Sequence, residues 1–202
     1  MPLLLSAILT VLLSTAGTGS ARALEFQADQ VTRIQGQTHR TNLFYKDDNW
    51  RLEHNDLGPV GVTIIRKDKQ VMWFLLSRMR HFKTVPYDPR QAPRISEHLE
   101  GEIAREEIGA ETREGHPTIL YQVTVREADR TVVYYQWMAT DLHLPLRLTR
   151  KDGSWTVEYR NVKVRPLSDQ LFELPMTYLP LDDLSAQDPT VKELTADDPT
   201  RP

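Results

Sequence analysis

Apolar and polar residues alternate with a period of two over much of the chain, which is the pattern of half-buried β-strands. Turn-forming residues recur about every ten residues between Phe26 and Val164, as in a meander of short strands. The segments between these turns are rich in Val, Ile, Thr, Tyr and Trp, which favour strands. The pattern predicts about ten to eleven strands in an antiparallel sheet.

Most of the predicted strands have one apolar face and one polar face. Trp50 and Leu52, for example, alternate with Arg51 and Glu53. A sheet that is apolar on one face must bury that face against another layer. The chain therefore has to supply a cover for the sheet, or the sheet has to curl over itself.

One segment has helical spacing instead. Ile95, Leu99 and Ile103 follow Pro93 with the spacing of one helix face, which predicts a short helix from Pro93 to about Arg105. Its apolar stripe is too narrow to cover the whole sheet, so a hollow should remain. The predicted fold is α+β: a strongly curved antiparallel sheet, an incomplete barrel, with a short helix on its concave side.

Residues 71–76 are apolar at every position, so both faces of this strand need a cover. One face is predicted to serve the core under the helix, and the other to line a hollow for an apolar guest. The two alternatives for the inward face are Val71, Trp73 and Leu75 or Met72, Phe74 and Leu76. The sequence leaves this choice open.

The two ends of the chain differ from the middle. Residues 1–23 have the pattern of a secretory signal, an apolar run too short to span a bilayer followed by Ala21-Arg22-Ala23. Residues 181–202 are rich in Asp and Pro, which predicts an acidic, disordered tail. We expect a single exported domain over residues 24–180, and it has no disulfide because the chain has no cysteine.

The composition narrows the class of protein. The chain has 202 residues, 40% of them apolar and 26% charged, with a net charge of −3. This profile is typical of one ordinary soluble domain. Its 25 Lys and Arg residues are scattered along the chain, so the sequence has no electrostatic footprint for nucleic acid.

Motifs for catalysis are missing from the sequence. It contains neither Gly-x-Ser-x-Gly nor Ser-x-x-Lys, and its nine glycines form no phosphate-binding loop. Among the six histidines, His98 with Glu102 comes closest to a metal-ligand spacing, but an exposed, charged helix face is the simpler interpretation. We therefore predict a protein that is not an enzyme and uses no cofactor and no metal.

Large apolar and aromatic residues on the predicted strands and helix form the candidate ligand site, because such side chains line apolar pockets. The alternative is that they are ordinary core residues. The candidate residues are Trp50, Leu52, Val62, Ile64, Trp73, Phe74, Leu99, Ile103, Tyr121, Trp137 and Trp155. His54 lies on the same predicted face and is interpreted as a core or cavity histidine.

Several runs of residues share a pattern of apolar, turn and Asp-Lys positions: residues 50–53, 62–73, 108–117, 144–148, 159–162 and the Phe-x-x-Pro of 171–175. These runs resemble the periplasmic, LolA-like superfamily of outer-membrane lipoprotein-sorting proteins. The resemblance covers roughly Phe26 to Tyr178. Its motifs are soft patterns of apolar, turn and Asp-Lys residues, so it supports the fold more than the function.

The resemblance implies a half-barrel closed on its concave side by helices, with an apolar cavity that accepts acyl chains or apolar protein segments. We therefore expect a carrier for a lipid or lipoprotein acyl chain, with a possible membrane-associated partner protein, in the periplasm of a Gram-negative bacterium. The alternative is a non-enzymatic periplasmic interaction or sensor module that uses the same sheet, or its edge, to bind a partner protein.

Overall fold

The computed structural model describes residues 24–56 and 58–181. The predicted signal sequence (1–23) and all but the first residue of the predicted tail (181–202) lie outside these described residues. No helix in the described part has the length and apolarity needed to cross a membrane. The strands are β1 (Glu25–Ile34), β2 (Gln37–Lys46), β3 (Asn49–His54), β4 (Val62–Arg66), β5 (Val71–Leu76), β6 (His81–Pro86), β7 (Glu102–Arg113), β8 (His116–Glu127), β9 (Arg130–Ala139), β10 (Leu144–Arg150), β11 (Trp155–Val164) and β12 (Leu179–Pro180).

All of these strands belong to one 12-stranded sheet, in the order β12-β6-β5-β4-β3-β2-β1-β11-β10-β9-β8-β7. Strands β1–β6 and β7–β11 each form an antiparallel meander, and β1 pairs with β11 to join the two halves. The short β12 adds to β6 in parallel. The two ends of the order do not pair, so the curved sheet stays open. The predicted curved, incomplete antiparallel sheet is confirmed.

Three hairpins have two-residue turns that match the twist of their strands. Gln35-Gly36, Asp47-Asp48 and Glu114-Gly115 all have φ angles between 48° and 86°. Two successive residues with positive φ form a type I′ turn, which Gly and Asp adopt more easily than most residues. These turns set the registers of β1–β2, β2–β3 and β7–β8.

One face of the sheet, the inner face, is covered by residues 87–101, which we call the covering segment. Phe26, Leu43 and Tyr134 on the inner face are fully buried. The apolar side chains of the covering segment that pack into this core are Tyr87, Ala92, Ile95 and Leu99. The inner face therefore carries the main core of the protein.

The predicted helix from Pro93 to Arg105 is wrong. The covering segment has irregular backbone apart from one 3₁₀ turn, Pro89–Gln91, and β7 begins before the predicted helix would end. Gly101 has a φ angle of 73°, and its carbonyl oxygen accepts a hydrogen bond from the backbone N–H of Arg126 at 2.9 Å. The chain is thus already paired with β8 where a helix would continue. Ile103 is 53% exposed on β7 rather than packed on the sheet.

The opposite, outer face of β3 and β4 is covered by residues 165–181, the C-terminal segment. Its 3₁₀ turn Asp169–Phe172 lies over these two strands. Basic side chains of the outer face donate to backbone carbonyl oxygens of this segment: Arg66 to Phe172 (3.1 Å), Arg51 to Leu171 (3.2 Å) and Lys46 to Leu167 (3.1 Å). The segment then pairs with the edge of the sheet as β12.

The two covers explain why strand β5 is apolar on both faces. Met72 and Phe74 lie on the inner face, and Met72 is fully buried in the core below the covering segment. Trp73 and Leu75 lie on the outer face, where Leu75 is 1% exposed. Of the two alternatives left open by the sequence, the inward set is the one that contains Phe74.

Candidate functional site

A hollow of about 90 Å³ lies between the inner face and the covering segment. Its floor consists of side chains from β1, β3, β4, β5 and β11, and its roof consists of residues 90–94. The lining residues are Gln30, Thr32, Leu52, His54, Thr63, Phe74, Arg90, Gln91, Ala92, Pro93, Arg94, Trp155, Val157 and Tyr159. The floor combines the apolar side chains of Leu52, Phe74, Trp155 and Val157 with the polar side chains of Gln30, Thr32, His54, Thr63 and Tyr159.

Arg94 pins the roof to the floor. Its guanidinium lies 5.4 Å from the ring centroid of Tyr134 and 5.4 Å from that of Trp155. Its Nη1 donates to the Tyr134 hydroxyl at 3.0 Å and lies 3.8 Å from the Glu127 carboxylate. Contacts of a guanidinium with aromatic faces are worth about 0.5 to 2 kcal/mol each, depending on burial. Arg94 is therefore a latch between the covering segment and the sheet.

Two further side chains hold the middle of the covering segment. Gln136 Nε2 donates to the carbonyl oxygen of Ser96 at 3.2 Å, and Arg105 Nη2 donates to that of Glu97 at 2.6 Å. The two ends are anchored by backbone hydrogen bonds to the β4–β5 turn and to β8. The segment is thus fixed at its ends and held in the middle by side chains.

Tyr159 and His54 bring polar groups to the floor of the hollow. Burial raises the pKa of Tyr159 above its ordinary value, so its hydroxyl stays neutral. This hydroxyl donates to the carbonyl oxygen of Arg94 at 3.4 Å. His54 Nε2 lies 2.9 Å from the Thr63 hydroxyl. These groups add hydrogen-bonding capacity to a largely apolar floor.

The structure brings part of the predicted ligand site together. Leu52, Phe74 and Trp155 line the hollow. The residues that belong to the inner-face core beside it are Trp50, Leu99 and Tyr121. The role of these residues as ligand contacts stays a prediction.

The remaining predicted residues lie elsewhere. Ile103 is exposed on β7. Trp73 precedes Phe74 in a regular strand, and because successive side chains of a strand point to opposite faces, the two cannot share one hollow. The residues on the outer face are Val62, Ile64, Trp73 and Trp137. Their assignment to the concave cavity is corrected.

Several lining residues were not predicted from the sequence. Val157 and Tyr159 follow Trp155 with a period of two, and this pattern was a sufficient signal to include them. No sequence pattern indicated that Arg94 belongs to the site. It stands in a segment with helical spacing, and its aromatic partners Tyr134 and Trp155 are far away in the sequence.

His98 and Glu102 are hydrogen-bonding neighbours. His98 Nδ1 lies 3.2 Å from the Glu102 carboxylate, which also accepts from Arg105 Nε at 2.8 Å and from the backbone N–H of Leu99 at 3.0 Å. Arg105 is the main cause that lowers the pKa of Glu102 to about 2. Within residues 24–56 and 58–181, no group of three or more His, Cys, Asp or Glu side chains is placed to hold a metal ion.

We expect Glu102→Gln to lower the free energy of unfolding by about 2 kcal/mol at pH 7, because a charge-assisted, partly buried hydrogen-bond set is lost. A carboxylate whose pKa is lowered by folding stabilises the fold fully at pH values above its pKa in the unfolded chain, 4.5. This stabilisation is lost as the pH falls towards its pKa in the folded protein, about 2. The difference in unfolding free energy between wild type and Glu102→Gln should therefore become smaller as the pH is lowered from 4.5 towards about 2. Urea unfolding at several pH values measures it.

The control for this experiment is Glu107→Gln, since Glu107 is exposed on the same strand. Its stability difference from wild type should be small at every pH. A Glu102→Gln difference that stays constant down to pH 2 would mean that the carboxylate charge does not stabilise the covering segment.

No protein-family model matches the chain, and no curated protein matches it. An uncharacterized conserved protein from Thermus thermophilus has a similar structure, with a TM-score of 0.52 and 17% identity over 77% of this chain and 88% of that one. MucB matches with a TM-score of 0.52 and 18% identity over 76% of this chain and 58% of its own. The chain shares its fold with MucB.

MucB is matched also in its complexes with MucA, one of them from Pseudomonas aeruginosa with a TM-score of 0.50. This chain spans a little over half the length of MucB. A putative outer membrane lipoprotein-sorting protein domain from Vibrio parahaemolyticus matches with a TM-score of 0.37 and 10% identity, over 74% of this chain and 89% of that one. The curved sheet that the resemblance implied is the fold that this chain shares with the Thermus thermophilus protein and with MucB.

Proposed function

We propose that the protein is a carrier that binds an apolar ligand, a lipid or a lipoprotein acyl chain, between the inner face and the covering segment. The observation that carries this proposal is the construction of the cover: an irregular segment held over an apolar floor by Arg94. Such a segment can leave the sheet without breaking a helix or a strand ladder. The surface that it uncovers suits an acyl chain.

The size of the hollow implies that the covering segment moves when a ligand binds. Pockets for small molecules usually measure about 300 to 1,000 Å³, whereas the closed hollow has about 90 Å³. An acyl chain would take the place of Ala92, Ile95 and Leu99 on the inner face. Each buried methylene contributes about 0.8 kcal/mol, so a chain of ordinary length compensates for the lost contacts.

The proposed carrier is not an enzyme, because burial of apolar surface is enough to hold its ligand. We propose a location in the periplasm of a Gram-negative bacterium. The predicted signal at residues 1–23 and the resemblance of the sequence to periplasmic sorting proteins support this location.

Native mass spectrometry of the protein, purified from a periplasm without detergent, tests the proposal. We expect a bound mass that is recovered as lipid after extraction. A clean apo mass, together with no binding of a fluorescent fatty acid that is added afterwards, would contradict the carrier function.

Removing the latch should strengthen ligand binding. Arg94→Gln deletes the contacts with Tyr134 and Trp155, and the closed state competes with the ligand for the inner face. Weakening the closed state by about 1 to 2 kcal/mol should lower the apparent Kd for a fluorescent fatty acid by about five- to thirtyfold. A fluorescence titration of both proteins measures the change.

The control variant is Arg78→Gln, because Arg78 is exposed in the β5–β6 turn, away from the covering segment. Its Kd should equal that of the wild type. Weaker fatty-acid binding by Arg94→Gln would mean that Arg94 contacts the ligand instead of holding the cover closed.

The alternative function is a partner-binding module that accepts a strand at the edge of the sheet. Strand β7 favours it, since this 12-residue strand is an edge of the sheet and is mostly exposed, including Ile103 and Ile108. Two bulges and several charged residues interrupt the same edge, which protects it against pairing. The carrier is therefore the better supported function. A clean apo mass without fatty-acid binding would favour the partner-binding module instead.

A further inference from the structure

A second cleft, of about 320 Å³, opens on the outer face of the C-terminal half of the sheet. The tip of the β7–β8 hairpin and strands β10 and β11 line it. We call it the arginine cleft, and its main polar residues are Glu111, Arg113, Glu114, Glu158 and Arg160. The side chains of Glu158 and Arg160 alternate with that of Tyr159, so they point to the face opposite the hollow. Tyr159 is the residue that the linings of the cleft and the hollow share.

Two guanidinium groups stack on Trp137 beside this cleft. The guanidinium carbon of Arg113 lies 4.6 Å from the indole centroid, and that of Arg147 lies 4.9 Å from it. Arg113 lines the cleft, and Arg147 Nε lies 3.9 Å from the carboxylate of Glu158, which also lines it. Stacking on an indole fixes the plane of a guanidinium and leaves its N–H groups free to bind an acceptor.

Two hydrogen-bond donors at this place have no acceptor. Arg147 Nε and Trp137 Nε1 are both buried and make no hydrogen bond. An unpaired buried donor costs about 1 to 3 kcal/mol. An acceptor group that binds between these two neighbouring side chains would remove both costs.

Arg147 is also the cation that lacks its own carboxylate. Glu158 Oε1 accepts from Arg33 at 3.0 Å and Glu158 Oε2 accepts from Arg160 Nε at 3.0 Å, so both of its oxygens are engaged. These hydrogen bonds outweigh the burial of Glu158 and hold its pKa below the ordinary value. Burial, with the neighbouring Arg113 and Arg33, lowers the pKa of Arg147 against the opposite effect of Glu158 and Glu111.

The charge balance of the whole cluster agrees with this. Arg113 Nε donates to Glu111 at 2.6 Å, and Glu114 stands near Arg160 at the hairpin tip. The cluster contains four guanidinium groups and three carboxylates: Arg33, Arg113, Arg147 and Arg160 with Glu111, Glu114 and Glu158. One positive charge is left over, and Arg147 is the group without a short ion pair.

We propose that the arginine cleft binds a phosphate group, held by Arg113 and Arg147 beside Trp137. The oxygens of a phosphate group can accept hydrogen bonds from the two guanidinium groups and from the indole N–H together. The negative charge of the phosphate compensates the one positive charge by which the guanidinium groups of the cluster exceed its carboxylates. The phosphate belongs either to a soluble compound or to a phospholipid headgroup, which have the same chemistry at this site.

Tryptophan fluorescence of the full chain tests the proposal with two probes, inorganic phosphate and vesicles of phosphatidylglycerol. We expect a saturable change in emission, because the ligand would bind next to Trp137, and Trp137→Phe should remove it. Arg147→Gln and Arg113→Gln should each weaken binding about tenfold or more, since each removes a charge-assisted hydrogen bond. Arg78→Gln, with an exposed arginine in the β5–β6 turn, should bind as the wild type does.

Thermal unfolding separates a binding role of Arg147 from a structural one. Without phosphate, Arg147→Gln should melt close to the wild-type temperature, because the removal of an unpaired buried donor offsets the loss of the stacking contact with Trp137. Phosphate should raise the Tm of the wild type and leave that of the variant unchanged. A large loss of stability in the absence of phosphate, with an unaltered response to it, would overturn the proposal.

The two probes distinguish the source of the phosphate. A response to inorganic phosphate indicates a soluble compound. A response to phosphatidylglycerol vesicles but not to phosphatidylcholine vesicles or inorganic phosphate indicates the anionic headgroup. No response to any of them, or equal binding by wild type and Arg147→Gln, would overturn the proposal.

Discussion

Phe172→Ala should lower the free energy of unfolding by about 3 to 5 kcal/mol, as much as the loss of a large side chain from a central core. Phe172 stands outside the strands, in the turn of the C-terminal segment, but it is only 3% exposed. The outer face below it carries Ile64, which is fully buried, and Arg66 holds the backbone of the turn. Equilibrium unfolding in urea measures the change.

The matched control is Met176→Ala in the same segment, because Met176 is completely exposed. Its effect should stay within about 0.5 kcal/mol. A Phe172→Ala effect as small as that of Met176→Ala would mean that the C-terminal segment does not close the outer face. The sheet would then need another cover for Ile64 and Leu75.

This cover shows what the sequence predicted well and what it did not. The period-two pattern predicted the antiparallel sheet, and the apolar run of β5 correctly indicated that both faces are buried. The second cover was missed because the C-terminal segment has neither strand nor helix periodicity over the outer face, so its buried side chains, such as Phe172, form no repeating pattern. The carbonyl oxygens that accept hydrogen bonds from the sheet also leave no mark in a pattern of side chains.

The helix prediction failed for a related reason. Ile95 and Leu99 do pack on the inner face, as their spacing indicated. However, apolar residues at this spacing can contact the sheet without a helical backbone. An irregular segment that runs across the sheet brings them into contact as well as a helix does. The positive φ angle of Gly101 and the pairing of β7 with β8 determine the backbone conformation where the helix was predicted.

Strand β9 shows the limit of the pattern for the candidate site. The sequence analysis placed Trp137 of this strand in the ligand site, which requires it to face inward. The inner face instead carries Tyr134 and Gln136, both fully buried, and Gln136 is paired with Arg105 and with the covering segment. Tyrosines at adjacent positions and a buried amide remove the contrast between the faces on which a parity argument depends.

Phe74→Gln should weaken the binding of a fluorescent fatty acid by about tenfold or more, whereas Trp73→Gln should leave it within about twofold. Phe74 lines the hollow, and loss of its apolar contact with a ligand removes about 1.5 to 3 kcal/mol. Trp73 is its neighbour on the same strand but lies on the outer face, with Lys69 Nζ 5.7 Å from its ring centroid. Titration of both variants measures the difference.

The two substitutions make a matched pair, because both replace a half-buried aromatic residue by the same amide at adjacent positions of β5. Their unfolding free energies should fall by similar amounts, which separates binding from folding. If Trp73→Gln weakens fatty-acid binding as much as Phe74→Gln does, the ligand is not bound on the inner face. If neither changes it, β5 is core alone, and the carrier site must lie elsewhere on the sheet.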